Sequence, residues 1–110
     1  MKLPNRENAY VPLSKLKDYL LSETHVVGRS KAKFLRAFGF DETNTELLEQ
    51  GLLMIAQNQD INEVASSPHG TKYVIDGSLQ TPIGNIVNIR TVWIIDKGQN
   101  RPRFITAIPN

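Results

Sequence analysis

The segment IVNIRTVWIID, at Ile86–Asp96 of this 110-residue chain, is the strongest β-strand candidate in the sequence. It is rich in β-branched residues and carries Trp93, a composition that is typical of a buried β-strand. Turn-forming residues bracket it, and the segments beyond both turns, residues 71–79 and 101–108, also have strand character. We therefore expect an antiparallel meander, in which Pro102 places the last strand at an edge or stands at its start.

The loop between the last two predicted strands sets how those strands pair. If residues 97–100 form a four-residue loop, a single register follows, and a slip of one residue would change every partner. The predicted opposite pairs are Thr91 with Thr106, Trp93 with Phe104, and Ile94 with Arg103.

Helical spacing replaces strand character in the N-terminal half. Apolar residues recur every three or four positions there, which predicts helices at residues 12–22, 30–38 and 44–58. The apolar stripe of the first helix consists of Leu13, Leu16, Tyr19 and Leu20. Because helices come first and hairpins follow, we expect an α+β fold of N-terminal helices packed on a C-terminal antiparallel β-meander. The length suits a single domain over residues 1–110.

Three local features concern the start, the interior and the end of the third predicted helix. Thr43 and Glu46 match a capping box, which predicts Thr43 as the N-cap residue. Gly51 lies in the helix interior, where glycine costs about 1 kcal/mol relative to alanine, so we interpret it as a point of close packing. Residues 59–70 are polar, and we interpret them as a long linker loop between the helices and the sheet.

Composition narrows the function classes without choosing one. The chain has no cysteine, which excludes disulfides, zinc–thiolate sites and thiol catalysis. No metal site or cofactor is predicted, because no histidine or carboxylate cluster has ligand spacing. The formal net charge of +2 permits a nucleic-acid partner but does not require one. No apolar run resembles a signal peptide or approaches the ~20 residues of a membrane span, so we expect a soluble, cytoplasmic protein with no membrane partner.

The segment HVVGRSKAKF at residues 25–34 is the strongest candidate for a functional site. A histidine and a glycine precede a helix start, and no acidic residue occurs between His25 and Gly39. Free backbone N–H groups and the helix dipole favour an anion at such a start. The candidate nucleic-acid contacts are Arg29, Lys33 and Arg36 on one stripe of this helix, and Arg90 of the sheet.

Lys31 departs from that stripe, because helical spacing places it among the apolar residues. A buried ammonium group needs a partner, so two interpretations stay open. Either the aliphatic stem passes Phe34 and the ammonium reaches water, or Lys31 faces a pocket between this helix and the next layer.

The chain has only two histidines, His25 and His69. Two imidazoles can act as acid and base in RNA cleavage, because they titrate near neutral pH. His69 lies between Pro68 and Gly70 and is best interpreted as an ordinary surface residue. The anion-favouring helix start behind His25 makes that residue the better candidate.

Several segments together resemble a bacterial family of unknown function that is common in cyanobacteria and also occurs at the C-terminal tips of large secreted toxins. The resemblance covers nearly the whole chain, and its residues are 3–5 (LPN), 25–32 (HVVGRSKA) with Phe34, 39–40 (GF), 70–77 (GTKYVIDG), 81–84 (TPIG), 90–95 (RTVWII) and 102–107 (PRFITA). It implies the family but no particular activity.

The order of elements is also similar to the barnase–EndoU–colicin–RelE group of metal-independent ribonucleases, in which helices precede a meander sheet. By role, this similarity implies His25 as the general base, with Lys31 and Arg103 holding the scissile phosphate. Either Thr91 or Thr106 would orient that phosphate, although strand threonines are common and these two matter only if they share a cleft with Lys31.

Three hypotheses follow for the function. The first is a metal-independent endoribonuclease of toxin type, which acts on RNA and has a cognate inhibitor protein as a partner. The second is a non-catalytic module that binds RNA or a protein, because Arg29 and Ser30 precede Lys31 where many relatives carry a histidine. The third is a structural partner protein, which an internal salt bridge from Lys31 to an acid would favour.

Overall fold

The computed structural model describes residues 1–22, 24 and 29–110, with Arg29 described by its backbone alone. After a 3-10 turn at Arg6–Asn8, the helical elements are α1 (Leu13–Lys15), a π-helical segment (Leu16–Leu20) that continues it, α2 (Arg29–Ala37) and α3 (Thr45–Asn58). The strands are β1 (Glu63–Ser67), β2 (Gly70–Gln80), β3 (Ile86–Asp96) and β4 (Arg103–Pro109). Neighbouring strands pair antiparallel in the order β1-β2-β3-β4. The predicted α+β architecture is therefore confirmed.

The predicted linker at residues 59–70 is wrong in its central part, which forms β1. All five residues of β1 are exposed, so the strand shows no alternation of apolar and polar side chains. It pairs only with β2, at one edge of the sheet. An edge strand with two solvated faces lacks the pattern by which a strand is recognised in a sequence.

The predicted capping box at the start of α3 is also wrong. The backbone N–H and the hydroxyl of Thr43 both donate to the carboxylate of Asp41, at 2.8 and 2.5 Å. Asn44 is the N-cap residue instead, and its side chain donates to the carbonyl of Gly39 and accepts from the backbone N–H of Asp41. Asp41 competes successfully for Thr43, since short polar side chains bond readily to groups two residues away.

The predicted register between the last two strands is confirmed at one end and wrong at the other. Trp93 lies opposite Phe104, and Ile94 lies opposite Arg103, as expected. A β-bulge then inserts an extra residue in β4, so Thr106 lies opposite Val92 rather than opposite Thr91. Pro102 immediately precedes this edge strand, which agrees with its predicted position.

The helices all pack on one face of the sheet. The core on that face joins residues of the helices with alternate residues of β2 and β3. Its largest fully buried side chains include Trp93 and Phe104, whose rings meet edge to face at 5.2 Å. Among the described residues, no helix is long and apolar enough to cross a membrane.

The interpretation of Gly51 as a point of close packing is confirmed. A Cβ atom at this position would overlap the side chain of Leu79, which is fully buried in β2. The absence of a side chain at Gly51 therefore allows α3 to approach the sheet.

We expect Gly51→Ala to lower the free energy of unfolding by about 1–3 kcal/mol, because overpacking a core outweighs the ~1 kcal/mol gain in helix propensity. The midpoint of urea unfolding measures this change. Gln50→Ala, at an exposed position of the same helix, is the control and should leave the midpoint nearly unchanged. A Gly51→Ala protein as stable as the wild type would contradict the packing argument.

Candidate functional site

Lys31 lies in the first turn of α2 and lines a small, largely apolar cavity between the helices and the sheet. The cavity is also lined by Leu20, Phe34 and Ala107, so Lys31 does face the adjoining layer. Its ammonium nitrogen lies 5.5 Å from the centroid of the Tyr19 ring. Within the described part of the chain, Lys31 forms no salt bridge with an aspartate or a glutamate. The salt bridge that would favour the third hypothesis, a structural partner protein, is therefore not found among the described residues.

Tyr19 connects this lysine to the sheet. The Tyr19 hydroxyl and the Thr106 Oγ1 atom of β4 share a hydrogen bond of 3.1 Å. The ammonium nitrogen of Lys15, one helical turn earlier, lies 4.8 Å from the centroid of the same ring. Two ammonium groups and two hydroxyls therefore meet around one aromatic ring.

The surroundings of Tyr19 lower the pKa of its hydroxyl. Burial raises the pKa of the Tyr19 hydroxyl, but hydrogen bonds with Thr106 and Lys31 lower it. The positive charges of Lys31 and Lys15 lower it further, and the net effect is a pKa below the usual value for tyrosine. A lower pKa makes this hydroxyl a better proton donor than an ordinary tyrosine.

The bulge in β4 and the helical segment place these groups together. Thr106 directly follows the extra residue of the bulge, and its hydroxyl contacts the helical layer. Tyr19 belongs to the π-helical segment, between the buried residues Leu16 and Leu20. Its ring packs against the core while its hydroxyl contacts Thr106.

Tyr19 belongs to the candidate site but was not predicted as a site residue. Helical spacing placed it in the apolar stripe of the first helix, which describes its ring but not its hydroxyl. A usable signal was present, because a tyrosine in a buried stripe usually needs a partner for its hydroxyl. Lys15, four residues earlier on the same helical face, was a second signal.

Thr91 does not share the cavity with Lys31. It is fully buried in the core of the sheet, where its hydroxyl donates to the carbonyl of Ile75 at 2.7 Å. The same oxygen accepts a hydrogen bond of 2.9 Å from the indole N–H of Trp93. Thr91 thus satisfies the polar group of the largest core side chain, which is a structural role.

The two sheet arginines lie on the face away from the helices, and each is held by an acid. Arg103 binds Asp96 through two hydrogen bonds of 3.1 Å, and Arg90 binds Asp76 at 2.8 and 2.9 Å. These hydrogen bonds lower the pKa of both aspartates. The structure does not bring Arg103 or Arg90 to Lys31, because alternate residues of a strand point to opposite faces.

The predicted basic stripe on α2 separates into different environments. Arg36 binds the carboxylate of Glu42 and donates a hydrogen bond of 2.6 Å to the carbonyl of Leu21. Lys33 is exposed. The side chain of Arg29 and the whole of His25 lie outside the described residues, so their predicted roles rest on the sequence alone.

Metal-ligating side chains do not cluster in the described part of the chain, where no three His, Cys, Asp or Glu residues come close enough to hold one ion. His69 is exposed in the turn between β1 and β2, and its backbone N–H donates to the Ser67 hydroxyl. It lies far along the chain from the group around Tyr19 and on a different element.

Fold and site together define a small α+β domain with a lysine–tyrosine–threonine group between its helices and an edge strand. The chain belongs to the family described as "Domain of unknown function (DUF6883)", which it matches over residues 2–110. The family resemblance found in the sequence is thereby confirmed. No curated protein shows a significant match.

A solved structure shares this fold. It is a chain of the "Contact-dependent growth inhibition toxin - immunity protein complex from Klebsiella pneumoniae 342", with a TM-score of 0.74. The alignment covers 96% of each chain at 21% sequence identity. At this identity the likeness shows a common fold, and the expected similarity to toxin-associated proteins is confirmed at that level.

We expect Thr91→Val to lower the free energy of unfolding by about 1–3 kcal/mol, because the indole N–H of Trp93 loses its buried acceptor while the shape is kept. Thermal unfolding followed by tryptophan fluorescence measures the loss. Thr71→Val, at a partly exposed position of β2, is a matched control. An unchanged midpoint in Thr91→Val would contradict the structural role of this hydroxyl.

Proposed function

We propose that this domain is a metal-independent endoribonuclease of toxin type, whose site includes Lys31, Tyr19 and Thr106. One observation carries the proposal: an ammonium group without an acidic partner among the described residues lies beside two hydrogen-bonded hydroxyls. A phosphate fits this group, because its oxygens can accept hydrogen bonds from the Lys31 ammonium group and from whichever of the two hydroxyls does not donate to the other.

The proposed reaction needs no group from outside the protein and its substrate. The 2′-hydroxyl of RNA loses a proton and attacks the adjacent phosphorus atom, forming the 2′-oxygen–phosphorus bond. The bond from phosphorus to the 5′-oxygen breaks, and that oxygen takes up a proton. The products are a 2′,3′-cyclic phosphate and a 5′-hydroxyl, so atoms, electrons and protons balance.

Each side chain has a role that its surroundings support. Lys31 stabilises the negative charge that grows on the phosphate oxygens, since a preorganised cation is effective at a partly buried site. Tyr19, with its lowered pKa, exchanges a proton with the reacting oxygens. Thr106 fixes the Tyr19 hydroxyl through their hydrogen bond. His25 remains the proposed base from the sequence alone.

Arg103 and Thr91 are left out of the proposed site. Arg103 is held by Asp96 on the other face of the sheet, and the Thr91 hydroxyl is used twice within the core. The likeness to a protein of a toxin–immunity complex supports a toxin-type role. It also supports the proposal that a cognate inhibitor protein is a partner of this domain.

A non-catalytic RNA-binding module is the second candidate function. Ser30 rather than a histidine stands directly before Lys31, so the sequence offers no imidazole next to this lysine. The exposed Lys33 on the same helix suits backbone contacts with RNA. Binding that weakens steeply with salt, without any product, would favour this candidate.

Incubation of mixed RNA with the purified protein in chelator tests the proposal. We expect Lys31→Ala to reduce the rate of cleavage about a hundredfold or more, as loss of one group that stabilises transition-state charge typically does. Lys33→Ala removes the same charge from an exposed position of the same helix and is the control. Intact RNA at high protein concentration, or equal losses in both variants, would overturn the nuclease proposal.

A further inference from the structure

We propose that Lys15 forms a second phosphate subsite beside Lys31, so that the ligand of this site is a nucleic-acid strand with at least two consecutive phosphates. The inference rests on the proposed function, because it takes the Lys31 group as the place of the reacting phosphate. It adds the substrate class, which is an oligonucleotide rather than a mononucleotide.

The geometry around Tyr19 supports two phosphate positions. The ammonium nitrogens of Lys15 and Lys31 lie 4.8 and 5.5 Å from the same ring centroid, and therefore no more than about 10 Å from each other. Lys31 reaches the ring from α2, whereas Lys15 reaches it from α1. Two elements thus each hold one cation beside the same aromatic side chain.

Charge in the free protein favours an anionic ligand at this place. Neither Lys15 nor Lys31 pairs with a carboxylate within residues 1–22, 24 and 29–110. An anion bound beside the Tyr19 ring is therefore attracted by both charges. The positive charges of Lys31 and Lys15 both lower the pKa of the Tyr19 hydroxyl.

Position distinguishes the two lysines. Lys31 lies beside the Tyr19–Thr106 hydrogen bond, where the reacting phosphate is proposed to bind. Lys15 is partly exposed and contacts the Tyr19 ring from α1, so we assign it to the next phosphate along the strand. Lys17, two residues further on, is exposed and makes no contact with the Tyr19 ring.

The test measures binding separately from cleavage by using an all-deoxy tetranucleotide, which lacks the 2′-hydroxyl and is not cut by the proposed reaction. Its affinity is measured at several salt concentrations for the wild type, Lys15→Gln and Lys17→Gln. A deoxynucleoside 3′-monophosphate, which offers one phosphate group, is measured with the same three proteins. Lys17→Gln is the matched control, because it removes the same charge two residues away.

We expect Lys15→Gln to weaken tetranucleotide binding about fivefold at low salt and to reduce the salt slope by about 0.7, the value for one phosphate contact on a single strand. Binding of the monophosphate should change less than twofold, and Lys17→Gln should resemble the wild type. Equal weakening of both ligands by Lys15→Gln would overturn the second subsite. Absence of tetranucleotide binding by the wild type, or equal effects of the two variants, would also overturn it.

The binding test of the second subsite and the cleavage test of the proposed reaction can fail independently of each other. If the wild type leaves RNA intact but Lys15→Gln has the expected effect on the tetranucleotide, the subsite is supported and the nuclease proposal fails. If RNA is cleaved but tetranucleotide binding does not depend on Lys15, the nuclease proposal is supported and the subsite fails.

Discussion

Burial of one face of β3 beneath the helices holds this fold together and also determines where the candidate site lies. Trp93 and Thr91 are fully buried on that face, and a hydrogen bond joins them. The helical layer packed over these residues extends to the edge strand β4, where Tyr19 meets Thr106. The site therefore lies at the rim of the core, where apolar packing fixes polar groups that ligands can still reach.

Pairing of charges separates the two faces of the sheet. On the outer face, Arg90 and Arg103 are each matched by an aspartate across the strands, and such pairs have little charge left for a ligand. On the helix side, Lys15 and Lys31 surround Tyr19 without a carboxylate among the described residues. Unbalanced charge, rather than the total number of cations, is the reason why the candidate site is placed on the helix side.

The sequence was sufficient for features that depend on local patterns. The bounds of β3 followed from its β-branched composition and the flanking turns, and the three helical regions followed from periodicity. The close packing at Gly51 followed from the cost of glycine in a helix. Features that depend on distant partners did not follow. The bulge in β4 displaced Thr106 from Thr91. The acids that bind Arg90 and Arg103 lie on the neighbouring strands. The hydroxyl of Tyr19 finds its partner 87 residues away.

We would first test the proposed RNA cleavage and the role of Tyr19 in it. The ends of RNA formed in chelator are identified for the wild-type protein and for Tyr19→Phe. The phenylalanine keeps the ring in the core and removes only the hydroxyl that bonds Thr106. We expect 2′,3′-cyclic phosphate and 5′-hydroxyl ends from the wild type, and a large loss of both in Tyr19→Phe. Products with 3′-hydroxyl ends, or the same yield from both proteins, would contradict it.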